Sequence, residues 1–300
     1  MTHVSVRRGL LYVSIAATAW GTGGAAGALL HRAGGLGPVA ASFWRFAAGA
    51  AVLLLALRLL GSGRGLGLGR LSGPGRVAVT GAAMAVYQTA YFAAIAESGL
   101  AVATLVTIGA TPVLVAAGAF ALLRERLGAG GLGCLGLALA GLSALTLGDG
   151  PEGFSPAGTG WALLSAAGYA GVTLLNRAAS AEPYATALGG FAVGGLCLLP
   201  LALAQGLVPT GDLLASWALI AYVGAVPTAL AYGLFFAGLA GVRATTASVI
   251  TLVEPVGATL LGVLLLGERL TPLAAAGSVL LLGSVALLTL SEGKEVTKRP

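Results

Sequence analysis

Two stretches of this chain decide its reading: TPVLVAAGAFALLRERL, residues 111–127, and EPVGATLLGVLLLGERL, residues 254–270. In each, a proline stands thirteen residues before Glu-Arg-Leu: Pro112 before Glu125-Arg126-Leu127, and Pro255 before Glu268-Arg269-Leu270. Both offsets between the copies are 143 residues (255 − 112 and 268 − 125). The residues between proline and charge are apolar, so each copy reads as a hydrophobic helix with a midway proline and a charged stop. Such a helix, met twice at a fixed spacing, points to an internally duplicated membrane protein.

Composition supports that class. The 300 residues are 57% hydrophobic and only 9% charged, with mean hydropathy +0.96. A soluble domain carries about 25% charged residues. Apolar runs of about 20 residues, each long enough to cross a bilayer as a helix, recur along the chain. They lack the alternation of a membrane strand, which leaves helices as the spanning element. The runs fall at residues 9–30, 38–60, 77–97, 101–123 and 129–147, then at 157–175, 184–205, 213–234, 245–266 and 272–290. The expectation is an all-α integral membrane protein with ten transmembrane helices in two five-helix repeats, residues 9–147 and 157–290. A polar tail, 291–300, is expected to be disordered.

Charge sets the orientation. With the N-terminus inside, thirteen basic residues from Arg7 to Arg299 fall on the inner side. Only Arg32, Arg269 and Arg45, a short way into the second span, fall on the outer side. This is the asymmetry of the positive-inside rule, and it places both termini in the cytoplasm. Five spans per repeat is an odd number, so the second copy enters from the opposite side and the repeats are inverted. The net charge of +6 then belongs to loop arginines facing anionic headgroups, not to a nucleic-acid surface. Arg7-Arg8 precedes an apolar run too long for a signal peptide, and more spans follow, so it reads as the start of an uncleaved first helix.

Cys134 and Cys197 lie within apolar spans and read as small buried hydrophobes. Neither they nor His3 and His31 have neighbours at ligand spacing, so no metal, cofactor or disulfide is expected. Gly131, Gly133 and Gly136 match a dinucleotide-binding glycine pattern, but they sit inside a span without the strand and turn that mechanism needs. Small residues four apart, Gly23/Gly27, Gly136/Ala140 and Gly190/Gly194, instead suit close helix packing in lipid.

The residues also carry a family resemblance. The first span holds Trp20-Gly21-Thr22 and the second Phe43-Trp44-Arg45-Phe46. The fourth gives Thr111-Pro112-Val113 and then Arg124-Glu125-Arg126-Leu127. The ninth gives Val253-Glu254-Pro255-Val256 and then Gly267-Glu268-Arg269-Leu270. In this order, over nearly the whole chain, they resemble the EamA family of the drug/metabolite transporter superfamily, with two tandem units. The resemblance implies a carrier of the cell inner (plasma) membrane, often an exporter of amino acids, drugs or other small metabolites. Arg124 departs from the glycine common at its position.

The middle of each span lies near the bilayer centre, where polar groups are costly unless they face protein or a cavity. Trp20, Gln88, Tyr91, Thr107, Tyr169, Thr228 and Glu254 are there, and are the candidate substrate-binding residues. Tyr87, Thr111 and Thr251 share that depth, while Tyr232 counts as nearer the inner interface, where tyrosine is ordinary. The threonines can also serve their own helix carbonyls beside a proline. Candidate gating residues are Pro112 and Pro255 as helix breaks, and Arg45 with Glu97 as an outer pair. Outward snorkelling is the alternative for Arg45. Low dielectric disfavours the charged form of Glu254, the one central carboxylate. It is therefore a candidate to exchange a proton or to hold the amine of a cationic or zwitterionic solute, against a purely structural hydrogen bond. Glu125-Arg126 and Glu268-Arg269 sit at helix ends, where charges ordinarily mark the interface. The expected partners are a small-molecule solute, with proton coupling an open possibility, and membrane lipid, with a monomer sufficient. The alternatives are an intramembrane enzyme or a lipid scramblase. An enzyme is not expected, because no acid/base pair, metal cluster or activated nucleophile is visible.

Overall fold

The computed structural model describes residues 4–60, 73–126, 128–147, 155–178, 183–266 and 271–297. Leu127, residues 61–72 and 148–154, and the second Glu268-Arg269-Leu270 lie outside them. Among the described residues the regular structure is all helix. Helix α1 (Val6–Gly34) starts after Ser5, whose side chain accepts from the Arg8 amide at 3.4 Å, and stops at Gly35 with φ 66°. Those are a serine cap and a left-handed glycine stop. Helices α2 (Pro38–Leu60), α3 (Pro74–Gly118), α5 (Pro156–Ala178), α6 (Pro183–Gln205) and α11 (Pro272–Thr297) all begin on proline, whose fixed φ suits a first turn. Between them lie α4 (Ala129–Leu147), α7 (Leu213–Gly224), α8 (Ala231–Leu239), α9 (Ala244–Ile250) and α10 (Glu254–Leu266).

The α3 trace is two spans, Pro74–Ser98 and Val102–Leu123. The Tyr91 hydroxyl bonds Thr104 Oγ1 at 2.7 Å. Thirteen residues of straight helix would hold them roughly 20 Å apart, so the chain reverses between these residues. Nine segments among the described residues are long and apolar enough to cross a membrane. Helix α5 has the length, 23 residues, but Ser165, Tyr169, Thr173, Asn176 and Arg177 dilute its apolar run.

Two segments depart from α-helical winding because of proline. Residues Ala225–Leu230 form a π turn around Pro227, which joins α7 to α8. Pro227 has no N–H for the carbonyl of Val223, four residues back, and the Thr228 hydroxyl donates to that oxygen instead, at 2.8 Å. Residues Thr251–Val253 tighten into a 3₁₀ turn, so the ninth span breaks immediately before Glu254-Pro255. At Pro112 the helix continues without such a break. Another π turn, Ala119–Leu123, ends the fourth span on Arg124, which adopts φ 55°. That left-handed conformation explains why glycine is common there.

Close helix approaches occur along the spans, and two groups of them lie toward span ends. Gly9 lies against Gly238 and Val242, Gly118 against Leu174, and Gly189 against Val77 at one end. Gly211 lies against Ala33, Gly34 against Ser216, and Gly158 against Ser98 at the other. Helices α4 and α11 pack on each other where Gly141 and Gly277 bring their backbones together. Gly190 and Gly194 likewise admit Met84 and Phe46, whereas Gly27 and Gly136 face open space and do no such packing. Other expectations also need correcting. Helix α8 runs five residues past Leu234, and α11 continues through residues 291–297, where no proline interrupts it. Cys197 is exposed on α6 and Cys134 is half-buried, so neither is a core thiol.

Candidate functional site

Helix α1 approaches the ninth span at Gly21. A Cβ there would meet the Glu254 carbonyl at 2.9 Å and Gly257 Cα at 3.1 Å. The glycine therefore lets α1 lie against the Glu254-Pro255 break, and its neighbour Trp20 faces the same space as Glu254. That space is a cavity of about 150 Å³. Its walls are Trp20, Arg45, Tyr87, Gln88, Tyr91, Thr107, Ile108, Thr111, Ser165, Tyr169, Tyr232, Thr251 and Glu254.

Two opposite charges share the cavity. Arg45, on α2, donates from Nε to Thr228 Oγ1 at 3.0 Å and from a terminal nitrogen to the Pro227 carbonyl at 3.3 Å. Thr228 can accept because its own hydrogen goes to Val223, so the proline break in the eighth span fixes the guanidinium. The Arg45 guanidinium also stands 6.0 Å from the Tyr232 ring centre. Glu254 lines the same cavity as Arg45. The Glu254 carboxylate makes no hydrogen bond or ion pair among the described residues.

The rest of the wall is aromatic and hydroxylic. Trp20 packs edge-on against Tyr232 at 4.9 Å and Tyr169 at 6.2 Å, and Tyr87 meets Tyr169 at 5.7 Å. The hydroxyls of Tyr87 and Tyr232 are hydrogen-bonded, joining the third and eighth spans. Several polar groups are already committed: Gln88 Nε2 donates to Ser42 at 3.1 Å, Ser165 to the Tyr87 carbonyl at 2.8 Å, and Thr107 to the Ala162 carbonyl at 3.2 Å. Trp20 Nε1 and the Tyr169 hydroxyl are buried and find no partner among the described residues. Buried donors of this kind are costly unless something bonds them. Among the described residues no group of three His, Cys, Asp or Glu could hold a metal.

Of the candidates read from sequence, the cavity brings together Trp20, Gln88, Tyr91, Thr107, Tyr169 and Glu254. Thr228 stands one shell behind, as the acceptor for Arg45. Arg45 turns into the cavity and forms no ion pair with Glu97 among the described residues; Glu97 is exposed at the C-terminal end of α3's first span. Pro255 adjoins the helix break, and Pro112 sits within a continuous helix beside Thr111. Tyr87, Thr111 and Thr251 line it as well, and Tyr232, Ser165 and Ile108 complete the lining. Ser165 and Ile108 carry no sequence signal, and the depth of Tyr232 depends on where α8 ends.

The comparisons with known proteins agree with this architecture. The sequence profile of the EamA-like transporter family matches residues 7–147 and 156–290. Over 296 residues the chain is 32% identical to an uncharacterized transporter, YwfM, of Bacillus subtilis, covering 96% of this chain and 95% of that one. It is 36% identical over 213 residues to an uncharacterized protein of Pseudomonas aeruginosa, covering 69% and 71% of the two chains. A protein of known crystal structure superposes with TM-score 0.79 at 26% identity, over 94% of this chain and 98% of the other.

Proposed function

The chain belongs to the EamA-like transporter family, and from that premise we propose that it exports a small zwitterionic or cationic organic solute, such as an amino acid, by alternating access. The multi-pass membrane character and the transporter class come with the family. The substrate class rests on one observation: Arg45 and Glu254 face a single aromatic-walled cavity, and the Glu254 carboxylate has no hydrogen-bond or ion-pair partner among the described residues. A solute carboxylate suits the guanidinium and its ammonium suits Glu254, while Trp20, Tyr169 and Tyr232 cover its apolar part. A cavity of about 150 Å³ takes a solute of roughly benzene size, which favours small metabolites over bulky drugs in this conformation. Glu254 is also the group through which proton exchange would be coupled to transport.

In this reading ten spans form two inverted five-helix repeats, residues 9–147 and 157–290, with both termini in the cytoplasm and the protein in the cell inner membrane. The 143-residue offset supports it, since Thr111-Pro112 and Glu254-Pro255 occupy equivalent places. So do the two sets of end contacts, which suit spans that alternate in direction. A monomer suffices, because the cavity is built by one chain. Topology reporters placed after Leu147 and in the turn at residues 240–243 should read outside and inside, respectively; both on one side would overturn the inversion. A toxicity and uptake screen of amino acids and amines in cells expressing the chain should identify a solute whose accumulation falls on expression. Protection against anionic, amine-free solutes alone would overturn the substrate class.

A further inference from the structure

The Glu125-Arg126 pair at the end of the fourth span does more than mark an interface. Glu125 Oε1 accepts from Arg177 Nε of α5 at 2.9 Å, and Oε2 accepts from the backbone N–H of Ala244, the first residue of α9, at 3.0 Å. Arg177 also donates to the Leu239 carbonyl, the last of α8, at 3.2 Å. Arg243 donates in turn to the Arg126 carbonyl at 3.1 Å. One carboxylate thus ties the end of the first half's fourth span to α5 and α9, and Arg177 extends the tie to α8. Arg243 offers α9 no side-chain cap, and Glu125 supplies an anion to that helix start instead. The left-handed Arg124 immediately before it turns the chain.

The ninth span differs in burial on either side of the cavity. Every residue from 244 to 252, on the Glu125 side, is buried, and none from 256 to 261 is. The bundle is sealed where Glu125 sits and looser beyond Glu254. We infer that Glu125, held by Arg177 and the start of α9, is the latch of the inner gate, and that it must release before the cavity opens to the cytoplasm. The inference rests on the alternating-access reading above. Opening that side requires the ends of the fourth, sixth, eighth and ninth spans to part, and Glu125 with Arg177 bonds all four.

The test uses Gln88→Cys as a reporter in the cavity, with Cys134 and Cys197 replaced by alanine, and a membrane-impermeant maleimide applied to right-side-out or inside-out vesicles. Glu125→Gln and Arg177→Gln should each raise labelling from the inner side about tenfold, within the usual range of conformational coupling, and lower it from the outer side. The double variant should exceed either single one by less than the sum of the two, because both singles break the shared Glu125–Arg177 bond while each partner also holds a bond of its own. Arg177→Lys, which keeps the cation, should stay nearer the parent. Unchanged labelling on both sides overturns the latch. So does a rise on both sides, or parallel labelling of Ala138→Cys buried in α4, since either means that Glu125 merely holds the fold. Opposite shifts with the sides exchanged would uphold the latch and fault the proposed orientation, and no opposite shifts at all would be the failure of the latch itself.

Discussion

Thr228→Val removes one hydroxyl from a buried position that serves two partners, and its cost can be worked from each. The Val223 carbonyl, left without an amide by Pro227, loses its donor. An unsatisfied buried acceptor costs about 1–3 kcal/mol. Arg45 Nε loses its acceptor at 3.0 Å, although its second contact to the Pro227 carbonyl remains. Interhelical hydrogen bonds in membranes are worth about 0.6 kcal/mol on average and about 1.7 at most. The sum is about 2–5 kcal/mol, with the carbonyl the larger part, and valine fills the same volume so no cavity adds to it. Thr228→Ser keeps the hydroxyl but deletes a buried methyl that lies against Gly49, so it should cost about 0.5–1.5 kcal/mol and stay more stable than Thr228→Val. Reversible unfolding in mixed micelles reads both. Equal stability of Thr228→Val and the parent would refute the reasoning that one hydroxyl repairs the proline break and anchors Arg45.

Other outcomes follow from the same geometry. Glu254→Gln keeps shape and hydrogen bonding but removes titration, so it should fold and exchange solute in counterflow while losing accumulation driven by a pH gradient; normal gradient-driven uptake would leave Glu254 no coupling role. Its affinity for amine-bearing solutes should fall about tenfold or more, as a charged contact worth about 1.5–3 kcal/mol is lost. Arg124→Gly relieves a left-handed backbone at φ 55° and should stabilise the protein by about 1 kcal/mol in micelle unfolding; a neutral or destabilising result would mean that the Arg124 side chain contributes more than the strain. In a background with Cys134 and Cys197 replaced, Gln88→Cys should react with a small thiol reagent and solute should slow it, while Ala138→Cys, fully buried in α4, stays inert. Equal labelling of the two would show that the cavity walls are misassigned.

The depth of a residue was legible in the sequence; its facing was not. Counting residues along apolar runs places Trp20, Gln88, Tyr169 and Glu254 mid-span, and the structure gathers them in one cavity. Counting failed for Tyr232 because α8 ends at Leu239, five residues beyond the expected boundary, which moves that tyrosine toward the centre. Arg45 could not be aimed from α2 alone. Its acceptors are Thr228 and the Pro227 carbonyl, 183 and 182 residues away, and they exist only because proline distorts another helix. Glu125 looked like an ordinary interfacial charge, since its partner Arg177 is 52 residues distant. The glycine habit at position 124, by contrast, was a local backbone signal, and φ 55° gives its cause.

Counterflow in proteoliposomes tests the central claim most directly. Purified protein is reconstituted, the vesicles are loaded with an unlabelled amino acid, and entry of trace labelled amino acid is followed without any ion gradient. A carrier with a single alternately exposed zwitterion site should show faster labelled entry into loaded than into empty vesicles for at least one amino acid. Arg45→Gln, in which the amide cannot replace the guanidinium, should abolish that difference. Entry no faster than into protein-free vesicles across the amino acid panel, or flipping of a fluorescent phospholipid in its place, would contradict the account.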